Sequence, residues 1–492
     1  MNDHDEIMND ASNGSNTPQT INNNTDNDDE IIDETEFIDL TTAVEIPISD
    51  DVEPIESDDD DDNAPTNDDE DTPMDNDVDK NNDDSNVSPP DATTTANEED
   101  TSQIQISCHS DAVYSLAYEP SLKLIVSGGG DDCAFLSSLS SLSSVSAGTP
   151  PTSRRLEREW KDTVSCLKFN SHCGEPLSKK MLAVGCYDGS IVVFDETGTE
   201  VLAELEGPSD VEWIDWHPKG GSVLLAGSTD GTIWMYHLTT TTATTPLPHK
   251  VLQVFVGHQN DVTCGGFTPD GKFVLSGGAD ATIRIWAPKT GACKATLSHR
   301  DTDNFGSSPS VGAGVTCCAM KGQVCLAGTE DGEVLVVGTG SANRKILGRL
   351  RHGPEGSSVE SVAFFDGGDA GGYDRWCASG GSDGTVKIWD LGSESCRHVC
   401  GAAGGSVVTR LFWHPTFPMI VSGSGDGGVR FWDARSGVLL ESLKGKGETI
   451  NDLVVDWGNG DGNAVVVTAC EDGVVRVWEV DVGGLIRSVA GE

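Results

Sequence analysis

Residues 257–286 read GHQNDVTCGGFTPDGKFVLSGGADATIRIW, and this stretch decides the fold. Its last twelve residues, LSGGADATIRIW, carry two apolar runs around a small turn. An aspartate in such a turn, Asp280, bonds nearby backbone amides, and the next position takes a positive φ that glycine tolerates best. After the turn, Ile283 and Ile285 alternate with polar residues, which is the period of a strand with one buried face. His258, Ser276, Asp280 and Trp286 have the spacing of a buried hydrogen-bonded tetrad tying strands together, a structural role although the residue types look catalytic.

The phrase recurs from residue 104 onward as small-Gly-x-x-Asp-Gly followed by a strand. Its central aspartates are Asp131, Asp188, Asp230, Asp280, Asp331, Asp383, Asp426 and Asp472, spaced 57, 42, 50, 51, 52, 43 and 46 residues apart. The sixth place after the aspartate is aromatic in six copies (Phe194, Tyr236, Trp286, Trp389, Trp432, Trp478), while Ser137 and Val337 are the exceptions. Eight such hairpins, at four strands per unit, are the signature of WD repeats. The expected fold is all-β: an eight-bladed WD-repeat β-propeller over residues 104–492.

Residues 137–153 (SSLSSLSSVSAGTPPTS) and 298–314 (SHRDTDNFGSSPSVGAG) read as loop insertions. No helix-period segment of useful length stands out in the repeats, which excludes crossover α/β enzymes. Ring closure has two candidates: residues 102–107 (SQIQIS) or the C-terminal 480–492 (VDVGGLIRSVAGE) as the outer strand of the last blade.

The chain of 492 residues carries a formal charge of −50. Residues 1–100 hold 35 acids against one base, Lys80, and one aromatic, Phe37. That composition cannot bury enough apolar surface to offset the entropy of ordering, so residues 1–103 are expected to form a disordered acidic tail. Its one island of alternating acids and hydrophobes, EIIDETEFIDLTTAVEIPI at 30–48, has the pattern of a short linear motif. The charge argues against direct binding to nucleic acid or an anionic membrane and for a basic protein partner. The first ten residues lack a secretory signal, and the 14 cysteines show no zinc spacing, so buried thiols in a cytoplasmic protein are expected. No metal or cofactor site is expected, and the protein is read as a monomer.

Three kinds of position ring a propeller mouth: those before and after the apolar residue that opens each innermost strand, and the one before the turn aspartate. These 24 places hold six acids, Asp210, Glu212, Asp261, Glu330, Glu360 and Glu471, two tyrosines, Tyr114 and Tyr187, and no lysine or arginine. Carboxylates accept bidentate bonds from guanidinium groups and aromatic rings stack on them, so the implied ligand is an Arg/Lys-rich peptide.

Two enzyme-like motifs are discounted. Gly380-Gly381-Ser382-Asp383-Gly384 matches a nucleophile elbow, and 423–428 (GSGDGG) contains G-x-G-x-x-G. Each lies in the repeated hairpin with no helix after it, so the context that would confirm it is absent.

Several phrases are more specific than the repeat itself: CHSDAVYSLAYEP (108–120), DVEWIDWHP (210–218) and GDGGVRFWDARSGVLL (425–440). On these the chain resembles the angio-associated migratory cell protein family, across the whole repeat region. A yeast member of that family is a dedicated chaperone for a large-subunit ribosomal protein of the L-ten/L-sixteen family. The resemblance implies a non-enzymatic binding protein whose acidic face shields the basic N-terminal segment of that ribosomal protein until late 60S assembly. The alternative from the same resemblance is a scaffold in signalling, cell migration or cytoskeletal regulation. A nuclear histone chaperone is suggested by the tail alone.

Overall fold

The computed structural model describes residues 99–139, 151–170, 180–219, 221–239, 245–298, 313–354, 356–367, 375–401, 405–458 and 462–490. The tail over 1–98, its 30–48 island and most of the two insertions, at 140–150 and 299–312, lie outside the described residues.

Among the described residues, thirty-two strands form eight antiparallel four-stranded sheets. Seven are consecutive in sequence, spanning 113–155, 164–205, 211–256, 264–298, 315–351, 359–400 and 408–444. The eighth combines strands from 450–481 with Ile104–Ile106 from the other end of the chain. Each innermost strand lies against that of the next sheet, and 450–456 lies against 113–119, so the sheets close into an eight-bladed β-propeller.

Of the two closing candidates, the N-terminal one forms the outer strand: Ile104 pairs with Val477, Gln105 with Arg476 and Ile106 with Val475. The C-terminal candidate forms a nine-residue helix over Val482–Ala490, which corrects the expectation of a helix-free repeat region. Leu485 and Ile486 of this helix pack on the core between blades seven and eight. Ile104 and Ile106 are buried on the other side, in the core shared by blades eight and one.

The repeated phrase owes its glycine to the neighbouring blade. A Cβ at Gly128 would lie 2.5 Å from Cγ1 of Val164, at Gly277 2.6 Å from Val315 and at Gly380 2.5 Å from Val408. Each of these valines begins the next blade's innermost strand, so the glycine is the slot for the next blade. The residue after each turn aspartate has positive φ in all eight blades, with Gly at six and Asp132 (56°) and Ala281 (62°) at the others.

Candidate functional site

The turn aspartates pin their hairpins. Asp188, Asp230, Asp280, Asp383, Asp426 and Asp472 each accept a bond from the backbone N–H two residues on, at 2.8–3.2 Å. Asp331 accepts from the Thr329 hydroxyl at 2.6 Å. Asp131 instead meets Nδ1 of His109 at 2.9 Å and the N–H of Ser110 at 3.0 Å.

In blade four, His258 Nδ1 meets Asp280 at 3.0 Å, its Nε2 meets Ser276 Oγ at 2.7 Å, and Trp286 Nε1 donates to the same Oγ at 2.9 Å. Blade six holds a second full network that the sequence reading missed: His352 bonds Ser379 at 2.7 Å and Asp383 at 3.3 Å, and Trp389 donates to Ser379 at 2.8 Å. The missing signal was spacing, since histidine and aspartate stand 31 apart there and 22 apart in blade four. These networks have the connectivity of a Ser–His–Asp triad. Ser276 and Ser379 are both 0% exposed, however, so no substrate reaches either hydroxyl.

Blades seven and eight use arginine where others use histidine. Arg430 clamps Asp426 through both guanidinium nitrogens. Arg476, 2% exposed, donates to Asp472 at 3.0 and 2.6 Å and to Asp100 at 2.7 Å. Blade two retains Asp188 but carries Trp160 and Phe194, packed together with Val184 in one core, where blade four has its histidine, tryptophan and serine.

Of the eight mouth candidates, Tyr187, Glu330 and Glu471 stand beside these turn aspartates, and Asp210 and Asp261 precede the apolar residue that opens an innermost strand. Tyr114, Glu212 and Glu360 stand at innermost-strand positions; at the equivalent place elsewhere the side chain locks adjacent blades. Ser165 donates to Val211 O at 2.5 Å, Thr263 to Val315 O at 2.5 Å, Thr316 to Val359 O, and Asn451 to Val113 O at 3.0 Å. Between blades three and four Trp213 Nε1 does this, donating to Val262 O at 2.9 Å. The DVEWIDWHP phrase is a stitch for the same reason. Asp215 meets Lys168 of blade two at 2.7 Å and the N–H of Phe267 of blade four at 2.9 Å, while Trp216 donates to Lys168 O at 3.0 Å.

Six candidates form an arc over blades eight, one, two, three and four. Glu471 accepts from Asn451 at 2.9 Å and acts on the half-exposed Tyr114. Tyr187 lies within electrostatic reach of Tyr114 and donates its hydroxyl to Glu212. Asp210, bonded by Thr229 at 2.8 Å, and Asp261 face Glu212. Burial, with the carboxylates of Asp261 and Asp210, pushes the Glu212 carboxyl above its usual range against the downward pull of the Tyr187 bond. Burial and then Glu212 push the Tyr187 phenol up. Glu330 and Glu360 are held by their own blades, through the N–H of Gly314 at 2.9 Å and the hydroxyl of Ser358. Asp111, which also acts on Tyr114, joins the arc and was missed because it lies two places before the strand's apolar residue. Among the described residues, no lysine, arginine or histidine forms an ion pair with any of the six predicted acids.

Among the described residues no group of three histidines, cysteines or acids is placed to hold a metal, and no helix is long and apolar enough to cross a membrane.

The family model described as "WD domain, G-beta repeat" matches residues 101–136, 199–237, 249–287, 344–390, 394–433 and 437–479. The hairpins of blades two and five, where the tetrad is apolar or the aromatic is Val337, fall outside those matches. The chain is 30% identical to human angio-associated migratory cell protein over 392 residues, 75% of this chain and 78% of that protein. It is 27% identical to the ribosome assembly protein SQT1 of Saccharomyces cerevisiae over 192 residues, 37% of this chain and 41% of that protein. The Chaetomium thermophilum Sqt1 structure, bound to the N-terminus of ribosomal protein L10, aligns with a TM-score of 0.64 at 21% identity, covering 78% of this chain and 100% of that one.

Proposed function

The chain belongs to the WD-repeat family of angio-associated migratory cell protein, and from that premise we propose that it is a non-enzymatic, cytoplasmic chaperone. Its client is the basic N-terminal segment of a newly made large-subunit ribosomal protein of the L-ten/L-sixteen family, held until late 60S assembly. One observation carries the reading: an acidic arc at the mouth whose carboxylates are bonded by hydroxyls and amides and by no cation. Such carboxylates are oriented but not neutralised, which suits them to accept Arg and Lys donors. The related Sqt1 from Chaetomium, with its bound L10 N-terminus, supports the client's identity, and the yeast relative named for ribosome assembly supports the pathway.

The binding residues in this reading are Tyr114, Tyr187, Asp210, Glu212, Asp261, Glu330, Glu360 and Glu471. Charge-assisted bonds contribute roughly 1.5–3 kcal/mol each when shielded and much less at an exposed rim. The Glu212→Lys/Glu360→Lys double variant is therefore expected to weaken binding of an L10 N-terminal peptide at least tenfold by calorimetry, with folding retained. Unchanged affinity in the folded variant would place the site elsewhere. Absence of any L10 binding by the wild type would move the reading to a signalling or cytoskeletal scaffold.

A further inference from the structure

Tyr114 is the one aromatic side chain among the described residues left substantially exposed, at 42%. A ring held out in water on an innermost strand gives up the stabilisation that burial would bring. It does no structural work in exchange. At the equivalent places Ser165, Thr263 and Asn451 lock their blade to the next by donating to its backbone. The Tyr114 hydroxyl makes no such bond among the described residues.

Its surroundings fit a ligand instead. The ring lies against Gly130, where a Cβ would stand 3.1 Å from Tyr114 Cε2 and 3.4 Å from Oδ2 of Asp111. The glycine therefore leaves room for the ring and the carboxylate together. Gly473 of the blade-eight turn packs on the Asp111 carbonyl, which a Cβ there would approach to 2.9 Å, and this turn carries Glu471. Both carboxylates act on Tyr114. Each is oriented by one amide: Ala112 N–H donates to Oδ1 of Asp111 at 2.8 Å, and Asn451 Nδ2 to Oε2 of Glu471 at 2.9 Å. Oδ2 of Asp111 and Oε1 of Glu471 take no hydrogen bond from any described residue.

We propose that Tyr114, Asp111 and Glu471 form a subsite that reads arginine rather than lysine in the client's basic segment. The proposal rests on the chaperone reading above and narrows it from net charge to side-chain identity. A guanidinium is planar and weakly hydrated, stacks on an aromatic ring and carries several N–H donors in a fixed fork. It can meet the ring and both free carboxylate oxygens at once. An ammonium is a compact, strongly hydrated point charge with no flat face to lay on the ring. A site made of carboxylates alone would bind either cation. The exposed ring is what separates them.

The experiment is calorimetric binding of two peptides to full-length proteins at one ionic strength: the L10 N-terminal peptide, and the same peptide with every arginine changed to lysine. The net charge of the two is equal. Wild type is expected to bind the arginine peptide at least about fivefold more tightly. Tyr114→Leu is expected to weaken the arginine peptide roughly fivefold and the lysine peptide less than about twofold, so that the preference shrinks. Tyr114→Trp keeps an aromatic face and is expected to restore it. Asp111→Asn/Glu471→Gln is expected to weaken the arginine peptide roughly fivefold. Matching melting curves would establish that the ring is intact in each variant. Equal affinity of wild type for the two peptides would overturn the proposal, since the mouth would then read charge alone. Equal weakening of both peptides by Tyr114→Leu would overturn it, as would unchanged binding in that variant or in the carboxylate variant. A preference lost in Tyr114→Trp as well would make the tyrosine's role structural and overturn it too. Failure of either peptide to bind wild type would instead sink the chaperone reading itself, so the two failures are distinguishable.

Discussion

At the scale of single residues, three of the solutions this ring uses at the tetrad positions imply different sensitivities. Blade four uses neutral histidine and serine, blade two replaces them by Trp160, Phe194 and Val184, and blade eight buries a guanidinium between two carboxylates. The last is the most exposed to mutation. Removing one partner of a buried pair leaves a charge without compensation, at roughly 3–5 kcal/mol. Asp472→Ala is expected to fall near the lower figure, about 3 kcal/mol, because Asp100 still faces Arg476. Urea unfolding measures it. A loss below about 1 kcal/mol would mean that water satisfies Arg476 in place of Asp472. The turn aspartates, the aromatic positions and the blade-four tetrad were legible because their chemistry is local, within about 30 residues. Arg476 with Asp100 was not, because its partners stand 376 residues apart.

At the scale of elements, the closing strand is three residues long and holds Ile104 and Ile106 against the blade-eight core. Burying an isoleucine is worth about 1.5–3 kcal/mol, so the pair contributes roughly 3–6 kcal/mol. Ile104→Asp/Ile106→Asp is expected to lower the melting temperature strongly and to promote aggregation through the unpaired edge of the Val475–Asp481 strand. Deleting residues 1–98 leaves that strand in place and is expected to leave the melting temperature within a few degrees. Calorimetry of both proteins gives the comparison, and equal melting of wild type and the Ile variant would show that the ring closes without this strand. The two closing candidates could not be separated from sequence, since SQIQIS and VDVGGLIRS both contain short apolar runs. Packing decides: Leu485 and Ile486, on adjacent positions, reach the core between blades seven and eight from a helix.

At the scale of the whole molecule, stability is tied to pH through histidines buried in the neutral form. Burial holds His217, His237, His258, His352 and His414 below the ordinary value near 6.5. At His258 and His352 burial outweighs the facing carboxylates of Asp280 and Asp383. The unfolded chain therefore takes up protons first as pH falls. The stabilisation from these groups is complete above about pH 7 and is lost progressively as pH drops through 6.5 toward their folded values. A second window lies lower. Hydrogen bonds hold Asp280, Asp383, Asp426 and Asp472 below their usual range despite burial, so their contribution persists above about pH 4 and is lost beneath it. Glu212, raised by burial, and relief of the net charge of −50 act in the opposite sense. The histidine effect must therefore be isolated by difference. His258→Gln/His352→Gln is expected to flatten the dependence of unfolding free energy on pH between 7 and 5.5, by up to about 1.4 kcal/mol per pH unit for each histidine removed. The measurement is urea unfolding of both proteins across that range. Parallel curves would show that the two imidazoles take up protons equally in the folded and unfolded chains, and would assign any loss of stability near pH 6 to His217, His237 and His414 instead.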